Sequence, residues 1–576
     1  MRRLLFALAT LSLLPGVLAA QYFGRNRVQY GRFDFKIIQT EHFDVYYYSA
    51  ERPAALDIAR MAERSYARLS RVLNHQFEER KPIILYASHS DFQQTNLGGG
   101  GVDEGTQGFT DYLRHRNTFP FQGAYADNEH VLTHEMVHQF QFDIWSKGRG
   151  GAGIQGILSA NAPLWFGEGM AEYFSLGPTD SKTAMWLRDG ALEGKLPTAN
   201  DFLQVFPYQF GHALITYIGQ RWGDEAVGAI TKNAVGGGLD LSLRRVLGMN
   251  FGQLVEQWKD AVTKQYLPEI GNRVKARAIA KPLLTQKISE GTWHLAPALS
   301  SDGSRVAYFS EKNFFFVDLW LGDGNTGKPI KRLLSSSFSG NYESFRYLAS
   351  SAAWSEDGSM LAFAAKRSGK DDIVIVDPRN NHEIRRLTVP LSGVSTPAFS
   401  PDGKRLVFTG LDGGISDLFT INIDGTDLRR LTNDKYADLH PVWSPDGTTI
   451  AFSTDRGPKT DFSALKWSEL GIALYHLDDG RIEVLPGMDH GRNSNPQWAP
   501  DGKSLAFVSD RDNVANLFLF DFADRQVYQL TDFYTGIRAS PPCLPYSRGP
   551  AAPTGSPLST SSRGSTTSIP LPIRGR

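Results

Sequence analysis

The sequence predicts a multidomain chain, with an α+β unit over residues 21–275 followed by an all-β propeller over 276–540. The propeller is expected to have five clear blades and an incomplete sixth. Three observations predict this. Residues 53–74 carry Leu56, Ala59, Ala62, Tyr66, Leu69 and Leu73 at the spacing of one helix face. Residues 33–48 (FDFKIIQTEHFDVYYY) alternate and residues 81–88 (KPIILYAS) form a short apolar run, both patterns of strands. In the second half one unit recurs five times, with Asp-Gly pairs beginning at 302, 357, 402, 446 and 501. A chain of 576 residues also exceeds what one hydrophobic core supports.

Residues 1–20 place Arg2 and Arg3 before an apolar run that ends in Ala19-Ala20, the pattern of a secretory signal peptide. The mature chain is therefore expected outside the cytoplasm, in the periplasm, on the cell envelope or secreted. No other stretch reaches the ~18–20 apolar residues that cross a bilayer, so no transmembrane segment is expected in the mature chain. Cys543 is the only cysteine, which leaves packing and metal, not disulfides, to stabilise an exported fold. Lys and Arg number 61 and Asp and Glu 61, so no cationic excess is available to neutralise phosphates, and a nucleic-acid partner is not expected.

Within the first unit, a glycine-rich loop (GGGG, 98–101) precedes HVLTHEMVHQFQFDIW (130–145). This stretch contains His134-Glu135-Met136-Val137-His138. Residues i and i+4 share one face of a helix, so both imidazoles can reach one Zn²⁺ at ~2.0–2.1 Å. Glu135 lies beside that face, where a carboxylate can hold a water and take its proton. Twenty-nine residues separate His138 from Glu168 in LWFGEGMAEYFS (164–175). Glu168 is placed to complete a His₂Glu set around one zinc per chain. Glu172, one turn further on, is placed to accept from the second N–H of a ligating imidazole. The aromatic residues around these carboxylates imply burial, and buried carboxylates need a partner such as a metal. Helical periodicity returns at 209–222 and 251–266.

H-E-M-V-H followed by W-F-G-E-G-M-A-E-Y resembles the gluzincin metallopeptidases, the clan of thermolysin and aminopeptidase N. The resemblance implies a zinc-dependent hydrolase acting on peptide bonds, with His134, His138 and Glu168 as ligands and Glu135 as the base. PYQFGHALITYIGQRWG (207–223) is similar to the clan's P-Y-x-x-G-x-A-L helix, which gives Tyr208 the oxyanion-stabilising role. His212 is the weaker alternative nearby and, as a lone histidine on an apolar helix, reads more often as structural. The His138–Glu168 spacing is longer than in the clan's aminopeptidases and includes GRGGAGIQG (148–156). The G-x-M-E-N strand that captures a free amino terminus is absent, and FPF (119–121) is expected at the sheet edge, pairing with an extended peptide. Both features favour an endopeptidase.

The repeats W-S-P-D-G-x-x-[IL]-A-F resemble the six-bladed TolB-type propeller of bacterial envelopes. Asp-Gly makes each hairpin turn, with Gly tolerating positive φ, and an alternating strand such as SLAFVS follows. A sixth Asp-Gly is due near Tyr546, but residues 541–576 are rich in Pro, Ser, Thr, Gly and Arg without apolar periodicity. That tail is expected to be disordered or aberrant, and a missing unit is expected to leave two strand edges unpaired. Two functions follow. One is an exported zinc endopeptidase whose propeller recruits substrate or an envelope protein. The other is a non-catalytic envelope adaptor with a structural zinc site. Zinc-dependent hydrolysis of a non-peptide bond is a third, weaker reading.

Overall fold

The computed structural model describes residues 28–537 except 96–101, 148–156, 159, 204–205, 314–315 and 337–340. The expected signal peptide, both glycine-rich loops, Cys543 and the C-terminal tail lie outside the described residues.

The N-terminal unit is built on a five-stranded sheet. Its strands are β1 (Lys36–Gln39), β2 (Phe43–Tyr47), β3 (Lys81–Tyr86), β4 (Phe109–Asp111) and β5 (Arg116–Pro120), in the order β1-β2-β3-β5-β4. β2, β3 and β5 run parallel, while β1 and β4 are antiparallel to their neighbours. The β2–β3 crossover is α1 (Arg52–Val72), opened by Pro53 where a missing N–H costs nothing. Its buried face uses Ala54, Ile58, Ala62, Tyr66 and Leu69, whereas Leu56 is 37% exposed and drops out of the expected stripe. FPF is not the edge: β5 lies between β3 and β4, and Phe119 and Phe121 are buried in the core. β4 takes the outer position instead.

Beneath the sheet runs α2 (Tyr125–Ser146), which carries both candidate histidines. The longer helices that follow are α3 (Leu164–Leu176), α4 (Ser181–Leu192), α5 (Pro207–Trp222), α6 (Asp224–Asn233), α7 (Gly238–Leu247) and α8 (Phe251–Tyr266). α8 begins with a capping box in which Asn250 and Gln253 satisfy each other's backbone N–H.

Four of the five repeats form a four-stranded antiparallel sheet; the second forms a five-stranded one in which two short strands, Ser344–Phe345 and Ala353–Trp354, both pair with Leu361–Arg367. The turn chemistry explains the recurring Ser-x-Asp-Gly. Ser300, Ser355, Ser400 and Ser444 donate to the Asp two residues on at 2.5–2.7 Å, and each accepts from the backbone N–H five residues on. The Gly that follows has φ between 66° and 71°, which an L side chain adopts only with strain. Trp354 and Trp443 donate from Nε1 to Ala298 and Ala398 of the preceding repeat, stitching neighbouring blades together.

In the middle of the inner strands of the third repeat consecutive residues are buried on both faces, while Ser504–Ser509 and Asn516–Asp521 of the fifth alternate between buried and half-buried. One face of the fifth blade is therefore partly exposed. On the first blade the corresponding face, with Val306, Tyr308 and Trp320, is covered by Leu283 and Leu284. Among the described residues, the surface exposed at this end is a sheet face, because blades pack face to face. Val274 pairs with Phe533, so the segment leaving α8 is tied to the end of the last repeat.

The two units pack together. Trp467 of the fourth repeat stacks on Tyr125 at 5.0 Å between ring centres and donates to Glu129 at 2.7 Å. Lys435 pairs with Asp57 at 2.9 Å, and buried Arg346 joins Glu104 at 2.6 Å to Asp371 at 2.8 Å.

Candidate metal centre

α2 holds His134 and His138 one turn apart, and α3 crosses it so that Glu168 faces both. His134 Nε2 lies 3.3 Å from His138 Nε2, and Glu168 Oε2 lies 3.2 Å and 3.4 Å from those two nitrogens. Three atoms bonded to a tetrahedral ion at ~2.0–2.1 Å stand about 3.3 Å apart, so the three donors fit one zinc. The His138–Glu168 spacing therefore delivers the third donor.

Glu172 Oε1 stands 3.2 Å from His134 Nδ1, and neither atom makes another hydrogen bond among the described residues. Glu172 thus stands within reach of the imidazole nitrogen turned away from the other donors. The other imidazole is oriented by Gln141, whose Oε1 meets His138 Nδ1 at 2.9 Å while its Nε2 donates to the Gly167 carbonyl at 3.1 Å. Gln141 thus joins the second histidine to the helix bearing Glu168. Its place three residues after His138 was the available signal, and the sequence reading passed over it.

Charge and burial agree with a cation site. Burial raises Glu168, but the His138 charge and hydrogen bonds from both imidazoles outweigh it and hold the carboxyl well below its usual range. Glu172 is likewise raised by burial and brought down to about 2, chiefly by its bond to His134. Burial lowers His134, yet its bonds to Glu168 and Glu172 carry it well above its ordinary value. The carboxylates are held ionised by the imidazoles, and a divalent ion would bind those imidazoles in place of their protons.

Glu135 is buried, and its carboxylate accepts from the Thr110 hydroxyl of β4. Gly108 presses against it, since a Cβ there would lie 2.5 Å from Glu135 Oε1. Burial pushes the Glu135 carboxyl up, opposed by the charges of His134 and His138 and by the Thr110 bond. Thr110 and Gly108 were not identified from the sequence, which gives no local sign that this strand meets α2.

Tyr208, in the first turn of α5, stacks against His134 with 6.1 Å between ring centres. His212 does not join the site. Its Nδ1 meets Thr183 Oγ1 at 2.9 Å and its Nε2 meets the Gly177 carbonyl at 2.8 Å, so it ties the end of α3 to α4. Both ring nitrogens of His212 are occupied away from the candidate ligand set.

α3 and α5 cross at two glycines. A Cβ on Gly169 would lie 2.3 Å from the Gly211 carbonyl carbon, and one on Gly211 would lie 2.3 Å from the Trp165 carbonyl oxygen. This backbone contact brings α5, with Tyr208 in its first turn, beside the helix that bears Glu168 and Glu172. Gly169→Ala is expected to destabilise the chain by about 1–3 kcal/mol or more, as overpacking does. Chemical denaturation together with zinc titration checks this, with weaker zinc binding expected alongside. Glu172→Gln is expected to weaken zinc binding about 10–100-fold, as loss of an orienting partner does, with little change in fold. Competition with a chromogenic chelator, with circular dichroism as control, measures it.

The comparisons bear on the second half. The family described as PD40, TolB beta propeller domain, matches residues 391–469. The uncharacterized protein Atu1656 of Agrobacterium fabrum is 26% identical over 212 residues, 36% of this chain and 68% of that protein. The Tol-Pal system protein TolB of Anaeromyxobacter dehalogenans is 26% identical over 203 residues, 35% of this chain and 37% of that protein. The uncharacterized peptidase YuxL of Bacillus subtilis is 24% identical over 208 residues, 29% of this chain and 30% of that protein. The chain thus spans about a third of the length of these last two relatives. With the five observed blades, the C-terminal half is a TolB-like PD40 β-propeller.

Proposed function

We propose that the chain is an exported zinc-dependent endopeptidase. The observation that carries this reading is the mutual 3.2–3.4 Å spacing of His134, His138 and Glu168, with Glu135 buried beside them. When bound, zinc supplies Lewis acidity toward the scissile carbonyl and a nucleophile at neutral pH. The chain's own residues do the rest. Glu135 takes the proton of the attacking water as the water oxygen bonds to the carbonyl carbon. It returns that proton to the amine as the C–N bond breaks. The Tyr208 hydroxyl donates to the developing oxyanion. β4 is the outer strand of its sheet, and an extended substrate is expected to add to it, which supports cleavage within a chain.

The TolB-like propeller also favours a second reading, an envelope adaptor whose metal site is structural. Metal analysis and digestion of unfolded protein by the full chain separate the two. One zinc per chain with chelator-sensitive cleavage supports the peptidase; one zinc with no cleavage of any peptide supports the adaptor.

A further inference from the structure

A cavity of about 1350 Å³ lies between the N-terminal unit and the propeller. Gln107, His130 and Tyr208 line one side; Ser395, His440 and Arg492 line the other. Tyr208 stacks on His134, and Gln107 adjoins Gly108, which presses on Glu135. The cavity therefore borders the candidate metal centre, and Glu172 beside His134 also lines it. His130 sits one turn before His134 on the same helix face, with 6.0 Å between the rings. Its Nδ1 is buried without a hydrogen-bond partner among the described residues. A buried polar atom left so is costly unless something else satisfies it.

The propeller wall is fastened to the site and is not merely near it. Arg492 Nη1 lies 3.5 Å from Asp127 Oδ1 in the first turn of α2. Asp510 accepts from the Arg492 backbone N–H at 2.7 Å and from Ser181 of α4 at 2.6 Å. Arg492 is thereby held over the N-terminal end of the helix that carries the metal ligands.

Pockets of roughly 300–1,000 Å³ enclose drug-sized ligands, so this volume suits a short stretch of peptide. A folded domain of about 100 residues has a radius of gyration of ~13 Å and does not fit. The walls mix imidazole, guanidinium, phenol and amide groups, which suits the alternating donors and acceptors of an extended backbone.

We propose that the propeller roofs the cleft, so that the substrate is a short unfolded peptide held between the metal centre and the wall formed by Arg492 and His440. This rests on the peptidase reading. The zinc-loaded full chain would be given one cleavable sequence as a short peptide and again within a folded domain. The short peptide is expected to have kcat/KM higher by about tenfold or more. Arg492→Ala is expected to raise KM for the short peptide more than it lowers kcat, with zinc content unchanged. Access is measured separately with Ser395→Cys in a Cys543→Ser background. A small maleimide is expected to react, and a long poly(ethylene glycol) maleimide to be excluded.

Equal reaction with both maleimides while the short peptide is still cut overturns the roof alone. Equal cleavage of the folded-domain substrate does the same. Failure to cut any peptide, with size-dependent labelling intact, overturns the peptidase reading and this proposal with it.

Discussion

Glu135→Gln is expected to lower kcat/KM for peptide cleavage by about 10²–10⁴, the range for loss of a general base, while zinc stoichiometry stays at one per chain. The two halves of this result come from different atoms. Zinc retention depends on His134, His138 and Glu168, and Glu135 supplies none of their mutual contacts. The amide keeps the shape of the carboxylate, so the packing against Gly108 and the bond from Thr110 survive. What is lost is a site for the proton, since an amide does not accept one near neutral pH. Steady-state kinetics with metal analysis of the same preparation make the measurement. Loss of zinc together with activity would show instead that Glu135 holds the site together, and the assignment of base would fail.

The helix that bears the candidate ligands was legible because its information is local. His134 and His138 at i and i+4, and the apolar residues between them, depend only on helical geometry. The five Asp-Gly turns were legible for the same reason, each turn being closed by bonds within six residues. Glu168 was reached through its resemblance and its aromatic setting, and the backbone contact at Gly169 and Gly211 shows why its helix arrives where it does. The sheet edge was misread because Phe119 and Phe121 look like an exposed aromatic strand, whereas β4 covers that edge. Thr110, Gly108 and Arg492 had no periodic signal, whereas His130, four residues before His134, had one that was passed over. The first three belong to surfaces brought together from distant parts of the chain, and no spacing in the sequence encodes such docking.

Arg346 gives the largest expected effect away from the metal. It is 3% exposed, donates to Glu104 and Asp371, and also reaches the Ser90 hydroxyl, so it ties the second blade to the N-terminal unit. Removing one partner of a buried ion pair leaves charges uncompensated and costs about 3–5 kcal/mol, so Arg346→Ala is expected to destabilise the chain by that amount. The deficit should depend on pH. Burial pushes the Glu104 carboxyl up to about 7, with the Arg346 charge opposing the rise. A carboxyl raised above its unfolded value of ~4.3 contributes stability that is complete below that value and lost as pH rises through about 7. Without Arg346 the folded-state value moves higher still. Near pH 5 Glu104 is protonated in both proteins, so its share of the deficit is small. Near pH 8 the wild type has an ionised and paired Glu104, while the variant must bury it unpaired or keep it protonated at a cost. Denaturant unfolding at the two pH values measures the difference, and Glu104→Gln in the variant should recover most of the pH-dependent part. An equal deficit at both values would mean that Glu104 does not sense Arg346, and the ion pair would not be what joins the two units there.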